Sequence, residues 1–171
     1  MSEIYLVFVV FLFVLAVFDL MVGVSNDAVN FLNSAIGAKV AKFRTIIIVA
    51  AVGVFMGATM SNGMMEVARN GVFHPAMFSL KELMFIFLAV MISDVILLDI
   101  FNNLGLPTST TVSLVFELLG GTTAFVLLKL ANDTTGLTVG DLMNTEKALG
   151  MIMAIFVSVA IAFFFGIVLQ Y

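Results

Sequence analysis

Five stretches of this chain are apolar for about twenty residues each: residues 4–24, 45–65, 83–101, 112–131 and 148–169. A helix of that length crosses the ~30 Å hydrocarbon core of a bilayer. In hydrocarbon every backbone N–H and C=O must be paired within the protein, so only helices and closed barrels span it. Runs this long select helices. Composition agrees: 63% of the residues are hydrophobic and 11% charged, against about 45–50% and 25% in soluble domains. The expected fold is an all-α integral membrane protein with about five transmembrane helices, a single domain over residues 1–171. The start, Met1-Ser2-Glu3, is acidic and the first run is too long for a cleaved signal. The chain carries no cysteine and a net charge of −4. It offers no basic patch for nucleic acid.

Two polar stretches interrupt this pattern. One is Ser25-Asn26-Asp27-Ala28-Val29-Asn30, after the first run; the other is Leu106-Pro107-Thr108-Ser109-Thr110-Thr111, between the third and fourth. Polar groups left unpaired in hydrocarbon cost several kcal/mol each. Such segments persist only inside protein or along a wet cavity. Helix breaks are expected near residues 25–27 and 105–109, at one depth and forming the halves of one site. Beyond the first break, residues 25–37 are expected to continue as a helix with Asn26, Asn30 and Asn33 near one face.

The remaining segments read as connections. The loop at 39–44 holds Lys39, Lys42 and Arg44, the densest uncompensated basic run. The positive-inside rule puts it in the cytoplasm and Met1 outside, in an inner (cell) membrane. Residues 66–82, with His74 and Pro75, form a mixed loop, and residues 132–147 an exposed one. Gly53 and Gly57, and the stripe Gly150, Ala154, Ser158, Ala162 and Gly166, suit close helix packing. Five crossings is an odd number. A second copy appended to this one would sit upside down, the plan of inverted-repeat transporters.

Five acids lie in or beside the apolar runs: Asp19, Asp27, Asp94, Asp99 and Glu117. None has a basic partner well inside a run, so a bound cation, a proton or water must balance them. Asp27 with Asn26 and Asn30 supplies hard oxygen ligands on one helix face; it reads equally as a helix cap. Asp99, Asn102 and Asn103 share a face and read as an extension of a cation site or as an interfacial polar cluster. Asp94 and Glu117 read as a proton route, as a second cation site, or as protonated acids bonded to nearby hydroxyls or amides. Ser109, Thr110 and Thr111 follow a proline that forbids helix before it. A helix starting there, capped by Thr108 or Ser109, presents free N–H groups and hydroxyls to an oxyanion; it also reads as a plain capped start. No metal signature, nucleophile–base pair or nucleotide motif is present, which argues against an enzyme and a resident cofactor.

At these residues the chain resembles the N-terminal half of PiT-type inorganic phosphate transporters. Their signature is Gly-x-Asn-Asp-x-x-Asn at the end of the first helix, then Pro-x-Ser-Thr-Thr. Here the two appear as Val24-Ser25-Asn26-Asp27-Ala28-Val29-Asn30 and Pro107-Thr108-Ser109-Thr110-Thr111, with Gly71 resembling a family loop glycine. Val24 stands where the signature has glycine, Asn33 where a later glycine is common, and Val112 where a polar residue usually follows. The resemblance implies Na⁺- or H⁺-coupled phosphate symport by one half of an inverted-repeat carrier. Phosphate would lie at Ser109, Thr110, Thr111 and Asn30. The cation would lie at Asp27 and Asn30 (as Na⁺ ligands), with Asn26, Asp99 and Asn102. The partners implied are inorganic phosphate, membrane lipid and a second repeat, either the chain's own C-terminal half or a second copy. Physics alone does not separate phosphate from sulfate, and a non-transporting membrane subunit is the competing class.

Overall fold

The computed structural model describes residues 2–60, 66, 71–132 and 136–170. Five long helices carry it: α1 (Ser2–Gly37), α2 (Phe43–Met60), α3 (Leu80–Leu104), α4 (Thr110–Ala131) and α5 (Thr145–Gln170). Each is long and apolar enough to cross a membrane. A 3-10 turn, Pro75–Met77, and one helical turn, Val139–Leu142, lie between them. No sheet is present among the described residues. The end of the second run beyond Met60, the Met64-Met65 pair and residues 67–70 beside Gly71 lie outside them.

The helix break expected near residues 25–27 is not there: α1 runs unbroken through Ser25, Asn26 and Asp27. The Ser25 hydroxyl donates to the Met21 carbonyl at 2.8 Å, which keeps it on its own helix. The asparagines find partners on other elements instead of competing for the α1 backbone. At about 1.5 Å per residue, the 36 residues of α1 extend about 54 Å.

The break expected at 105–109 is present, and its causes are local. Gly105 ends α3 at φ 67°, a left-handed turn that glycine adopts without strain. The amides of Gly105 and Leu106 bond back to Asn102 O and Phe101 O at 3.2 and 2.9 Å. Pro107 prevents the helix from resuming. Ser109 then caps α4, its hydroxyl oxygen accepting from Val112 N at 3.4 Å.

Helix α3 runs parallel to α1: Phe8 meets Phe85 edge-on at 5.4 Å near their starts, and Asn26 meets Asn102 near the end of α3. Helix α4 returns antiparallel, with Gly121 against Val90 and Ile86. The tip of this α3–α4 hairpin lies level with Asn26–Asn30, seven to eleven residues before Gly37. That is about 10–17 Å short of the α1 end, at 1.5 Å per residue.

The connection expected as an exposed loop at 132–147 is exposed at most of its described residues, but Leu142 and Met143 are drawn inward. Leu142 and Met143 are buried with Val72, Phe73 and Phe78 against Ile86, Val90, Leu118 and Val126. Two backbone bonds tie the connections together: His74 N to Leu142 O at 3.0 Å and Asn144 N to Val72 O at 2.9 Å. The apolar residues scattered among polar ones are what this base core draws in. Lys129 closes it. Its Nζ reaches Glu82 at 3.0 Å, donates to Met77 O at 2.9 Å and lies 4.9 Å from the centre of the Phe78 ring. His74 is exposed, as a loop histidine should be.

The glycines expected to pack helices mostly do not do so within this chain. Gly53, Gly57, Gly150 and Gly166 face open space, and the rest of the α5 stripe is exposed. Gly121 is the close approach: an added Cβ would lie 3.3 Å from Val90 Cγ2 and 3.9 Å from the Ile86 carbonyl. Gly121→Leu is therefore expected to overpack the hairpin by about 1–3 kcal/mol and to lower the unfolding midpoint in detergent. Gly120→Leu, facing open space, should leave it unchanged; equal effects of the two would show that α3 and α4 do not meet here.

A candidate ion site at the hairpin tip

A chain of side-chain amides holds the tip against α1. Asn102 Nδ2 donates to the Val22 carbonyl at 3.1 Å. Its Oδ1 accepts from Asn26 Nδ2 at 2.8 Å. Asn26 Oδ1 in turn accepts from the Thr108 amide at 3.3 Å and from Asn30 Nδ2 at 3.4 Å. Asn30 Nδ2 also donates to the Thr108 carbonyl at 2.8 Å. The sequence has a fixed polarity. A backbone carbonyl at one end and a backbone N–H at the other dictate which way each amide points. Asn26, only 3% exposed, is satisfied on both sides by these bonds.

Beside this chain of amides is a cavity of about 260 Å³ between α1, α3 and α4. Its polar lining is Asp19, Asp27, Asp94, Thr110 and Thr111. The Thr110 hydroxyl donates to Asp27, with Oδ2 at 3.2 Å and Oδ1 at 3.4 Å. Gly23 sits at the crossing, where an added Cβ would be 3.7 Å from Thr110 and 3.8 Å from Leu98. Deeper along the hairpin, Ser113 Oγ lies 3.2 Å from Asp94 Oδ1 and 2.9 Å from Glu117 Oε1. A hydroxyl has one hydrogen, so a single serine cannot donate to both carboxylates.

The structure thus divides the residues singled out from the sequence. Asp27, Thr110 and Thr111 line the cavity. Asn26, Asn30 and Asn102 hold the tip. Ser109 caps α4 and is exposed. Asp99 is exposed beside Asn102 and accepts from Asn103 at 3.2 Å. Asp99 and Asn102 line one groove against Met21, Val22 and Ser25 of α1, with Asn102 bonded to the Val22 carbonyl and Asn103 bonded to Asp99. Asp94, 4% exposed, and Asp19 were not assigned to the site. The signal was present for Asp19, since Asp19, Gly23 and Asp27 recur every four residues and so share a face.

Sequence comparison places this geometry in a family. The model of the phosphate transporter family matches residues 23–171, from the crossing glycine to the last residue. The chain belongs to the phosphate transporter family. No curated protein and no solved structure matches it. As a phosphate transporter family member it is a transport protein rather than an enzyme. No group of three or more His, Cys, Asp or Glu among the described residues is arranged to hold a metal.

The amide chain has a direct consequence in this family member. Asn26→Ala removes the central link and leaves the Thr108 amide and Asn102 Oδ1 without their partners. Each such loss costs about 1–3 kcal/mol. Hydrogen exchange at the tip amides, residues 108–110, should quicken by about five- to a hundredfold, with helix content unchanged. Asn33→Ala, on an exposed position, should not alter it. Wild-type protection at the tip in Asn26→Ala would mean that something other than these amides holds the hairpin.

Proposed function

We propose that this chain is one half of a cation-coupled inorganic phosphate symporter, with Na⁺ or H⁺ as the driving ion at Asp27. Phosphate binds where α4 begins, at Thr110, Thr111 and Ser109, with Asn30 at the rim. The observation that carries the reading is the Thr110–Asp27 contact, which joins the proposed anion and cation ligands directly.

The hydroxyl of Thr110 has one hydrogen, and in this state Asp27 takes it. A cation on Asp27 competes for its carboxylate oxygens and weakens that bond. The hydroxyl is then free to turn its hydrogen toward an oxyanion. Cation binding therefore creates an anion donor. Electrostatics enforces the same order: no Lys or Arg lines the cavity, while three carboxyl groups do. Phosphate entering before a cation would meet carboxyl groups and no cationic side chain in the lining. Free N–H groups at the α4 start and the hydroxyls supply the rest. Na⁺, a hard ion, suits carboxylate and amide oxygens such as those of Asp27 and Asn30.

One side of this half-site needs covering. Ser25, Asn30, Asp99 and Asn103 are exposed at or near the tip, and polar groups there cannot face lipid tails without heavy cost. A second, inverted repeat, from the same polypeptide or from a second copy, covers them and completes the path. Asn26 and Asn102 act by positioning the tip, and Asp99 belongs to the covered face.

Two measurements test this in reconstituted protein containing both repeats. Asp27→Asn keeps the size and removes the charge, and should abolish cation dependence of phosphate uptake. Thr110→Val deletes one hydroxyl; a hydrogen bond to a charged group is worth about 1.5–3 kcal/mol, so phosphate affinity should fall about ten- to a hundredfold. Ser158→Ala, on the exposed face of α5, is the control. Wild-type phosphate affinity in Ser109→Ala, Thr110→Val and Thr111→Val alike would remove the anion role and favour a non-transporting subunit.

A further inference from the structure

A groove of about 560 Å³ runs between α1 and α2, away from the hairpin tip. Phe31, Leu32, Ala35, Val49 and Gly53 form its walls, and Val40 and Ala41 its mouth. Small-molecule sites span about 300–1,000 Å³, so the groove has room for a flexible hydrocarbon chain. Gly53 contributes by absence: nothing lies within 4 Å of where its Cβ would be.

The mouth is charged. Lys39 adopts φ 52°, and the amides of Ala38 and Val40 bond back to Ser34 O at 2.9 Å and Ala35 O at 3.3 Å. This turn brings Val40 and Ala41 to the groove between two exposed lysines, Lys39 and Lys42, with exposed Arg44 following. No Asp or Glu occurs anywhere from residue 31 to 60. None of the three cations forms an ion pair among the described residues. Three positive charges, unpaired among the described residues, thus sit in the chain directly beside the lining residues Val40, Ala41 and Thr45 of an apolar slot.

We propose that this groove is a binding site for an anionic phospholipid, with an acyl chain between α1 and α2 and the phosphate headgroup on Lys39, Lys42 and Arg44. Basic pockets between transmembrane helices hold anionic headgroups in this way. Charge complementarity selects lipid over a second apolar helix, because a helix would fill the slot and leave the cations unmatched. The positive-inside bias of the loop directs it to the cytoplasmic leaflet, where anionic lipids concentrate. The site is separate from the cavity at Asp27 and does not depend on the transport reading.

The full chain in phosphatidylcholine vesicles tests it, using phosphatidylglycerol or phosphatidylcholine probes with the same photoreactive acyl chain. Crosslinked peptides are mapped by mass spectrometry. Phosphatidylglycerol should label residues 31–54 roughly tenfold or more above phosphatidylcholine at low salt. The combined substitution Lys39→Gln, Lys42→Gln and Arg44→Gln should abolish that excess, whereas Lys147→Gln should not. Gly53→Phe, which fills the slot and keeps the charges, should reduce labelling by both probes. Helix content and elution volume of each variant establish that it is folded. Equal labelling by the two probes in the wild type would overturn the proposal and leave ordinary lipid contact. Crosslinking of residues 31–54 to a second protein copy, with no lipid captured, would overturn it in favour of a protein interface.

Discussion

The structure depends on one constraint: a backbone that leaves its helix among apolar neighbours must have its N–H and C=O groups paired by something else. At the hairpin tip the partners are amide side chains. Asn30 takes the carbonyl of Thr108, and Asn26 takes its N–H. Asn102 carries the connection back to the free carbonyl capacity of Val22. The tip is irregular because Gly105 and Pro107 make it so. It is tolerable because α1 presents asparagines at the right height. A continuous α1 is essential to this arrangement, since a break there would have created a second set of orphan groups.

The same constraint shapes the electrostatics. The amides of Asn26 and Asn102 and the Nδ2 of Asn30 are occupied in holding the tip, so the proposed ion site draws on carboxylates, hydroxyls and the Asn30 amide oxygen. Asp19, Asp27 and Asp94 line one cavity, with Thr110 and Thr111 as its hydroxyls. On the proposed reading such a cavity takes a cation first, and an anion only in its company. Under the proposed symport, the absence of Lys and Arg from the cavity lining would serve coupling: an Arg there would hold phosphate without needing a cation.

Much of this was legible in the sequence, and the failures have physical reasons. The five helices follow from hydropathy, which measures what bilayer and protein interior share. Gly105, Pro107 and Ser109 announce a helix end and a capped start by local chemistry alone. Asp27 beside Thr110 was anticipated only as membership of one site, because helix spacing gives faces and not distances. The false break in α1 came from treating Ser, Asn and Asp as helix breakers. They break helices when their side chains turn to their own backbone, and here those of Asn26, Asp27 and Asn30 bond to α3 and the tip. Leu142 and Phe73 were missed for a related reason: short apolar islands in polar loops show no period, yet burial decides their position.

The two ends of the hairpin are held by different forces, and this bears on how an ion can act. At the base, apolar side chains from both connections are buried together, and Lys129 fastens the loop to α3. Dispersion and burial there add over many atoms and do not respond to a bound ion. At the tip the attachment to α1 is a few hydrogen bonds, each contributing about 0.5–1.5 kcal/mol net. An ion exchanging partners with Asp27 or Thr110 acts on energies of that same size. The hairpin is thus held firmly at its base and adjustably at its tip, so that under the proposed function a change of ligand at the tip would be transmitted along α3 and α4 without unfolding their base.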